Sequence, residues 1–131
     1  MTTSDLPAEG PTNVSTEGTE APFDDVITLS TSSEAGVVTV TVVGEVDTFT
    51  APVLRSTLDS QLEQQPRELV IDLSGVQFLG SAGLAVLVET QKSSRSREVG
   101  LRLIATTRAV TRPLEVTGLI DLFTIADSSA R

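Results

Sequence analysis

The chain has 131 residues, enough for one domain and a tail, and contains no Cys, His, Tyr or Trp. Without Cys there is no disulfide framework and no thiolate chemistry. Without His there is no Ser-His-Asp triad, and zinc would have to be held by carboxylates alone. The net charge of −9 argues against partners that are polyanions, whether nucleic acid or an anionic membrane surface.

Residues 1–24 are rich in Thr, Ser, Glu, Pro and Gly and carry acidic but no basic side chains. Such a composition buries too little apolar surface to offset its ordering entropy, so it reads as a disordered acidic tail, dispensable for folding. It lacks the basic and apolar regions of a secretory signal, and no apolar run reaches the ~20 residues of a membrane span, so the expected location is the cytoplasm.

The folded part is expected over 25–127, with 128–131 as a short C-terminal tail. "VITLST" (26–31) and "GVVTVTVVG" (36–44) are β-branched runs that predict an antiparallel hairpin, with "SSEA" as the turn and the second run as a central strand. In "TAPVLRSTLDSQLEQQP", Leu54, Leu58 and Leu62 form one helical stripe, with Thr50 as N-cap, Pro52 in the first turn and Pro66 as the stop. "RELVIDLS" (67–74) predicts a buried strand, and a short polar bend follows it. "SAGLAVLVETQKSS" then sets Leu84, Leu87, Val88 and Gln91 on one helical face, and "SRSREVG" is a charged loop. "LRLIAT" (101–106) is a further strand. A helix capped by Thr106 or Thr107 and stopped at Gly118 comes next, with a kink expected at Pro113. "LFTIAD" (122–127) closes the chain as a last strand. The order β-β-α-β-α-β-α-β implies an α/β fold with a largely parallel sheet and helical crossovers.

Three readings compete for the small-residue stretch "LGSAG" (79–83). A hydrolase elbow needs a glycine two residues before the serine, and Leu79 stands there. A phosphate-binding loop needs G-K-[ST], and the nearest Lys is Lys92. The plain structural reading makes Ser81 the N-cap of a helix. That position has a second consequence. The free N–H groups and the positive end of the helix dipole would accommodate a phosphate on Ser81, which adds about −2 charge to a small, neutral surface. Glu45 and Asp47 in "GEVD" could hold a divalent cation, but two carboxylates form no metal signature, and a solvated loop is the simpler reading. No catalytic, cofactor or metal residue is assigned.

"GEVDTFTAPVLRSTL", "VIDLSGVQFLGSAGLAVLVE" and "VTRPLEVTGLIDLF" follow one another in the order and near the spacing of the STAS domain. The chain resembles, over about 25–127, the stand-alone bacterial anti-sigma factor antagonists, which act in transcription regulation by partner switching. That resemblance implies a mixed four- to five-stranded sheet with helices packed mainly on one face. It implies a non-enzymatic binding module, monomeric when free, whose partners are an anti-sigma factor that is a GHKL-type serine kinase and a PP2C-type phosphatase. It places the phosphorylated serine at Ser81 and the conserved-motif acid of "GEVD" at Asp47. Many members carry Asp where this chain has Gly80, and an ordinary helix residue where it has Pro113. The expected partner-binding residues are Asp47, Thr48, Phe49, Gly80, Ser81, Ala82, Gly83 and Leu84. The alternative within the same resemblance is a subunit of another assembly, a stressosome scaffold or an accessory subunit of a lipid-transport ABC system.

Overall fold

The computed structural model describes residues 27–126; the expected tails at 1–24 and 128–131 lie outside the described residues. The elements are β1 (Ile27–Glu34), β2 (Val37–Val46), α1 (Ala51–Glu63), β3 (Glu68–Leu79), α2 (Ser81–Ser96), β4 (Gly100–Ile104), α3 (Arg108–Val116), a 3-10 turn (Leu119–Leu122) and β5 (Thr124–Ala126). They form a five-stranded sheet in the order β1-β2-β3-β4-β5. β1 runs antiparallel to β2, and the other neighbours are parallel.

The hairpin forms as expected, but its turn is shorter. β1 continues through Glu34, and the two-residue turn is Ala35–Gly36, both with positive φ (55° and 83°). That geometry matches the twist of the strands it joins, and the glycine adopts it without a Cβ penalty. Each later strand returns through one helix to its next neighbour. Right-handed crossovers that step in one direction put every helix on the same face.

Strand alternation shows which face that is. Val38, Val40 and Val42 on β2, Leu69, Ile71 and Leu73 on β3, and Leu103 on β4 share one buried cluster with Leu54, Leu58 and Leu62 of α1, Leu84 and Leu87 of α2, and Val110 and Leu114 of α3. The intervening residues point to the other face, where Thr39 and Thr41 sit and where Glu68 and Arg102 form an ion pair at 2.6 Å. Adjacent residues along a strand therefore serve opposite surfaces, which is why β2 alternates Val with Thr over 38–42.

Further elements depart from the sequence reading, among them β2, which runs to Val46, and β4, which spans Gly100–Ile104. β3 does not bend at Ser74: it runs on to Leu79, and register shifts at Thr41/Val43 and Gly44/Glu45 on β2 absorb the mismatch. Gly75 allows this, because a Cβ there would lie 2.9 Å from a methyl of Val43 across the strand pair. α2 extends to Ser96, and its buried face centres on Gly83, Leu84, Val86, Leu87, Thr90 and Ser94, with Val88 and Gln91 at its margin. Thr90 and Ser94 fit this buried face because their hydroxyls donate to the carbonyls of Val86 and Gln91, at 2.8 and 2.9 Å. α3 runs continuously from Arg108 to Val116 across Pro113. Pro113 deprives only the carbonyl of Ala109, one residue into the helix, of an i+4 donor. Leu122 belongs to the 3-10 turn, so the last strand is only Thr124–Ala126. Gly118 ends α3 as expected, in the left-handed region at φ 78°.

Candidate functional site

β2 and β3 are parallel neighbours, so the segments that follow them emerge side by side. Val46 pairs with Leu79 at the last register position, and the Gly80 N–H donates to the Val46 carbonyl at 2.9 Å. The 47–50 loop and the start of α2 are thereby fixed against each other. This is the arrangement in which ligands and partners meet the carboxyl ends of parallel strands.

Asp47 organises its own loop. Its Oδ1 accepts from the N–H of Phe49 at 2.9 Å, from the N–H of Thr50 at 3.0 Å and from the Thr50 hydroxyl at 3.2 Å. The Thr50 hydroxyl shares its single proton between that carboxylate and the nearer Glu45 carbonyl, at 2.8 Å, and accepts from the Asp47 N–H at 2.9 Å. Thr50 does occupy the N-cap position of α1, but its side chain knots the loop and does not cap the helix. The consequence of the knot is that Thr48 and Phe49 are pushed outward. Phe49 is 84% exposed, a large apolar side chain with almost no cover. Thr107, likewise at the N-cap position of α3, makes no cap bond, and its hydroxyl is buried without a partner.

Ser81 is not the N-cap. Gly80 takes that place in extended conformation (φ −91°, ψ −178°), its carbonyl accepts from the Leu84 N–H at 3.0 Å, and Ser81 is the first helical residue, exposed, with no cap bond. The backbone sets this: β3 must end before the chain can turn, and Gly80 is held in line with β3 by its bond to Val46. The hydroxyl of Ser81 is thus presented outward at the helix start.

The glycines around it differ in kind. A Cβ on Gly83 would lie 2.5 Å from Val46 Cγ1 and 2.7 Å from Leu79 Cδ1, both in the core, so α2 can approach the sheet this closely only with Gly there. A Cβ on Gly80 would lie 3.0 Å from the ring of Phe78, which is 49% exposed and free to swing away. Ala82 is half-buried, and Gly83 and Leu84 are buried. Of the eight expected contact residues, then, Thr48, Phe49 and Ser81 present exposed side chains, Asp47 and Ala82 partly exposed ones and Gly80 a partly exposed backbone, while Gly83 and Leu84 are buried beneath.

The sequence reading missed the feature between the two helices. Thr48, Ala51, Pro52, Arg55, Ala82, Ala85 and Val86 line a groove of about 240 Å³. Farther along, Arg55 of α1 pairs with Glu89 of α2 at 2.5 Å. The available signal was the alanine pair Ala82/Ala85 with Ala51 and Pro52, small side chains on the outer turns of two adjacent helices. Among the described residues, no group of three acidic or other metal-ligating side chains comes together, and Glu45 and Asp47 do not form such a group.

The mixed sheet carries its helices on one face, and the exposed serine, the exposed aromatic and the small-residue groove lie on the segments that leave its parallel strand ends. The chain belongs to the STAS domain family: residues 28–131 match that domain. It is 36% identical over 100 residues, 76% of this chain and 80% of the other, to the anti-sigma-F factor antagonist RsfB of Mycobacterium tuberculosis. It is 37% identical over 84 residues, 64% of this chain and 74% of the other, to the anti-sigma-B factor antagonist of Listeria monocytogenes. The fold superimposes with a TM-score of 0.76 on a crystal structure of an anti-sigma factor antagonist from Mycobacterium paratuberculosis, at 38% identity, covering 85% of this chain and 92% of that one.

Proposed function

We propose that this protein is an anti-sigma factor antagonist. In its unmodified form it binds an anti-sigma factor through the face formed by the 47–50 loop, the start of α2 and the groove between α1 and α2, and so frees the sigma factor. The partner is a GHKL-type serine kinase. It transfers the γ-phosphoryl group of its own ATP to the hydroxyl of Ser81, releasing ADP, and the complex dissociates. A PP2C-type phosphatase hydrolyses the phosphoester and restores the binding form. The protein itself acts as a substrate and a ligand, not as a catalyst.

The observation that carries this reading is the placement of Ser81: an exposed hydroxyl at the first turn of α2, beside Phe49, 84% exposed. Small neighbours leave room for close approach there. A phosphate added at this point faces the positive end of the helix dipole, so the fold tolerates it. At an interface the same charge must be desolvated without a partner, which costs several kcal/mol.

The test is reconstitution with the cognate anti-sigma factor and ATP, followed by mapping of the phosphosite and measurement of the affinity before and after transfer. Phosphate on Ser81 with loss of binding is expected. Transfer to another residue, or equal affinity of both forms, would overturn the assignment.

A further inference from the structure

Arg55 stands out once charges are counted around the groove. Among the described residues it is the only cation on α1, in the 47–50 loop or on residues 81–91 of α2. It lines the same groove as Ala82 and Ala85, yet its guanidinium is drawn to Glu89 at 2.5 Å. Ser81, Ala85 and Glu89 are spaced i, i+4 and i+8, so they form one stripe along α2. Both side chains of the pair are about half exposed (49% and 52%), and pairs this solvated hold weakly.

Resting on the reading of Ser81 as the phosphate acceptor, we propose that Arg55 is the phosphate-binding residue of the modified protein: it leaves Glu89 and engages phosphoserine 81. The phosphate is the better partner on two counts. It carries about −2 charge against −1 for a carboxylate, and it offers three acceptor oxygens to the guanidinium fork. Ser81 and Glu89 lie two turns apart on α2, about 12 Å along its axis, with Ala85 midway, so the guanidinium would swing through the groove that Arg55 and Ala82 both line to reach the phosphate. The groove is the part that changes. With Arg55 laid across Ala82 and Ala85, its floor of small residues is covered, so modification removes the docking surface as well as adding charge to it. Among the described residues, the other charged groups on the segments near this end are Glu45 and Asp47 ahead of α1, which oppose a phosphate, and Arg108 and Arg112 on α3, which compete to bind it.

The experiment uses the full chain with phosphoserine incorporated at position 81 during synthesis, so no kinase is involved. Phosphorus NMR follows the second ionisation of the phosphate, ordinarily near 6, in the otherwise unmodified chain and in the Arg55→Gln, Glu89→Gln and Arg108→Gln variants. A guanidinium beside the phosphate favours the dianion, so Arg55→Gln is expected to raise the ionisation by about half a unit or more. Glu89→Gln, which frees Arg55 from its competitor, is expected to lower it. The same ionisation with and without Arg55, or a rise produced by Arg108→Gln in its place, overturns the proposal. Circular dichroism confirms that each variant is folded. The outcome is separable from that of the proposed function. A kinase that ignores Ser81 would sink the functional reading and leave this titration unchanged, whereas a flat titration would leave the phosphosite standing.

Discussion

Ser81 and Gly83 lie two residues apart and do opposite work. Ser81 makes no cap bond and is exposed, so Ser81→Ala removes nothing the fold uses. It is expected to change stability by no more than about 0.5 kcal/mol, the usual range for a surface change. Ser81→Asp is expected to melt at or slightly above the parent temperature, because a carboxylate in the first turn faces the helix dipole. Thermal melting beside affinity for the anti-sigma factor checks both: Ser81→Ala binds like the parent and resists modification, and Ser81→Asp binds more weakly while remaining as stable. A destabilised Ser81→Asp would show that the hydroxyl is structural. Gly83 is the reverse case. Gly83→Ala drives a methyl to 2.5 Å from Val46 Cγ1, and overpacking of this kind costs about 1–3 kcal/mol, more than the ~1 kcal/mol that alanine gains in helix propensity. Gly80→Ala meets only the edge of the movable Phe78 ring and should be nearly neutral. A denaturation midpoint for Gly83→Ala no lower than that of Gly80→Ala would contradict this reading of the close approach.

At the scale of elements, α1 serves two surfaces at once. Leu54, Leu58 and Leu62 are fully buried against the sheet, while Pro52 and Arg55 line the groove. Leu58→Ala should therefore lose about 2–5 kcal/mol of stability, the range for emptying a core leucine site. Arg55→Ala, which loses only a half-exposed ion pair, should leave the melting temperature nearly unchanged and, by removing a groove wall, lower affinity for the anti-sigma factor. Calorimetric melting and binding titration of the pair separate the two roles, and equal melting losses would refute the division. The helix was legible in the sequence because its leucine stripe repeats every four residues. The pairing of its outer face with α2 was not legible, since Ala51, Ala82 and Ala85 become the walls of one groove only after two distant helices are laid side by side.

At the scale of the whole molecule, the turns at the parallel strand ends are poor in cations among the described residues. The turns at 46–50, 79–81 and 105–107 carry no Lys or Arg, and no phosphate-loop Lys is present. Calorimetry with ATP and magnesium should show no saturable heat at micromolar protein. A micromolar dissociation constant would move an enzymatic reading to the front. Hydropathy periods determined the order of strands and helices, the hairpin and the parallel sheet, since alternation of two and of three to four residues reports local geometry directly. The three motifs carried the family. Tertiary structure alone decided that β3 continues past Ser74, because "SGVQFL" becomes a strand by pairing with β2, and register shifts let the polar stretch stay in the sheet. It also decided that Gly80 and not Ser81 begins α2, because the bond from Gly80 to Val46 holds that residue in line with the strand. The exposure of Phe49 followed from the Asp47–Thr50 knot, and the place of Arg55 between Glu89 and the groove from helix packing. Each of these depends on contacts between residues far apart in the chain or on side-chain hydrogen bonds, and neither leaves a period in the sequence.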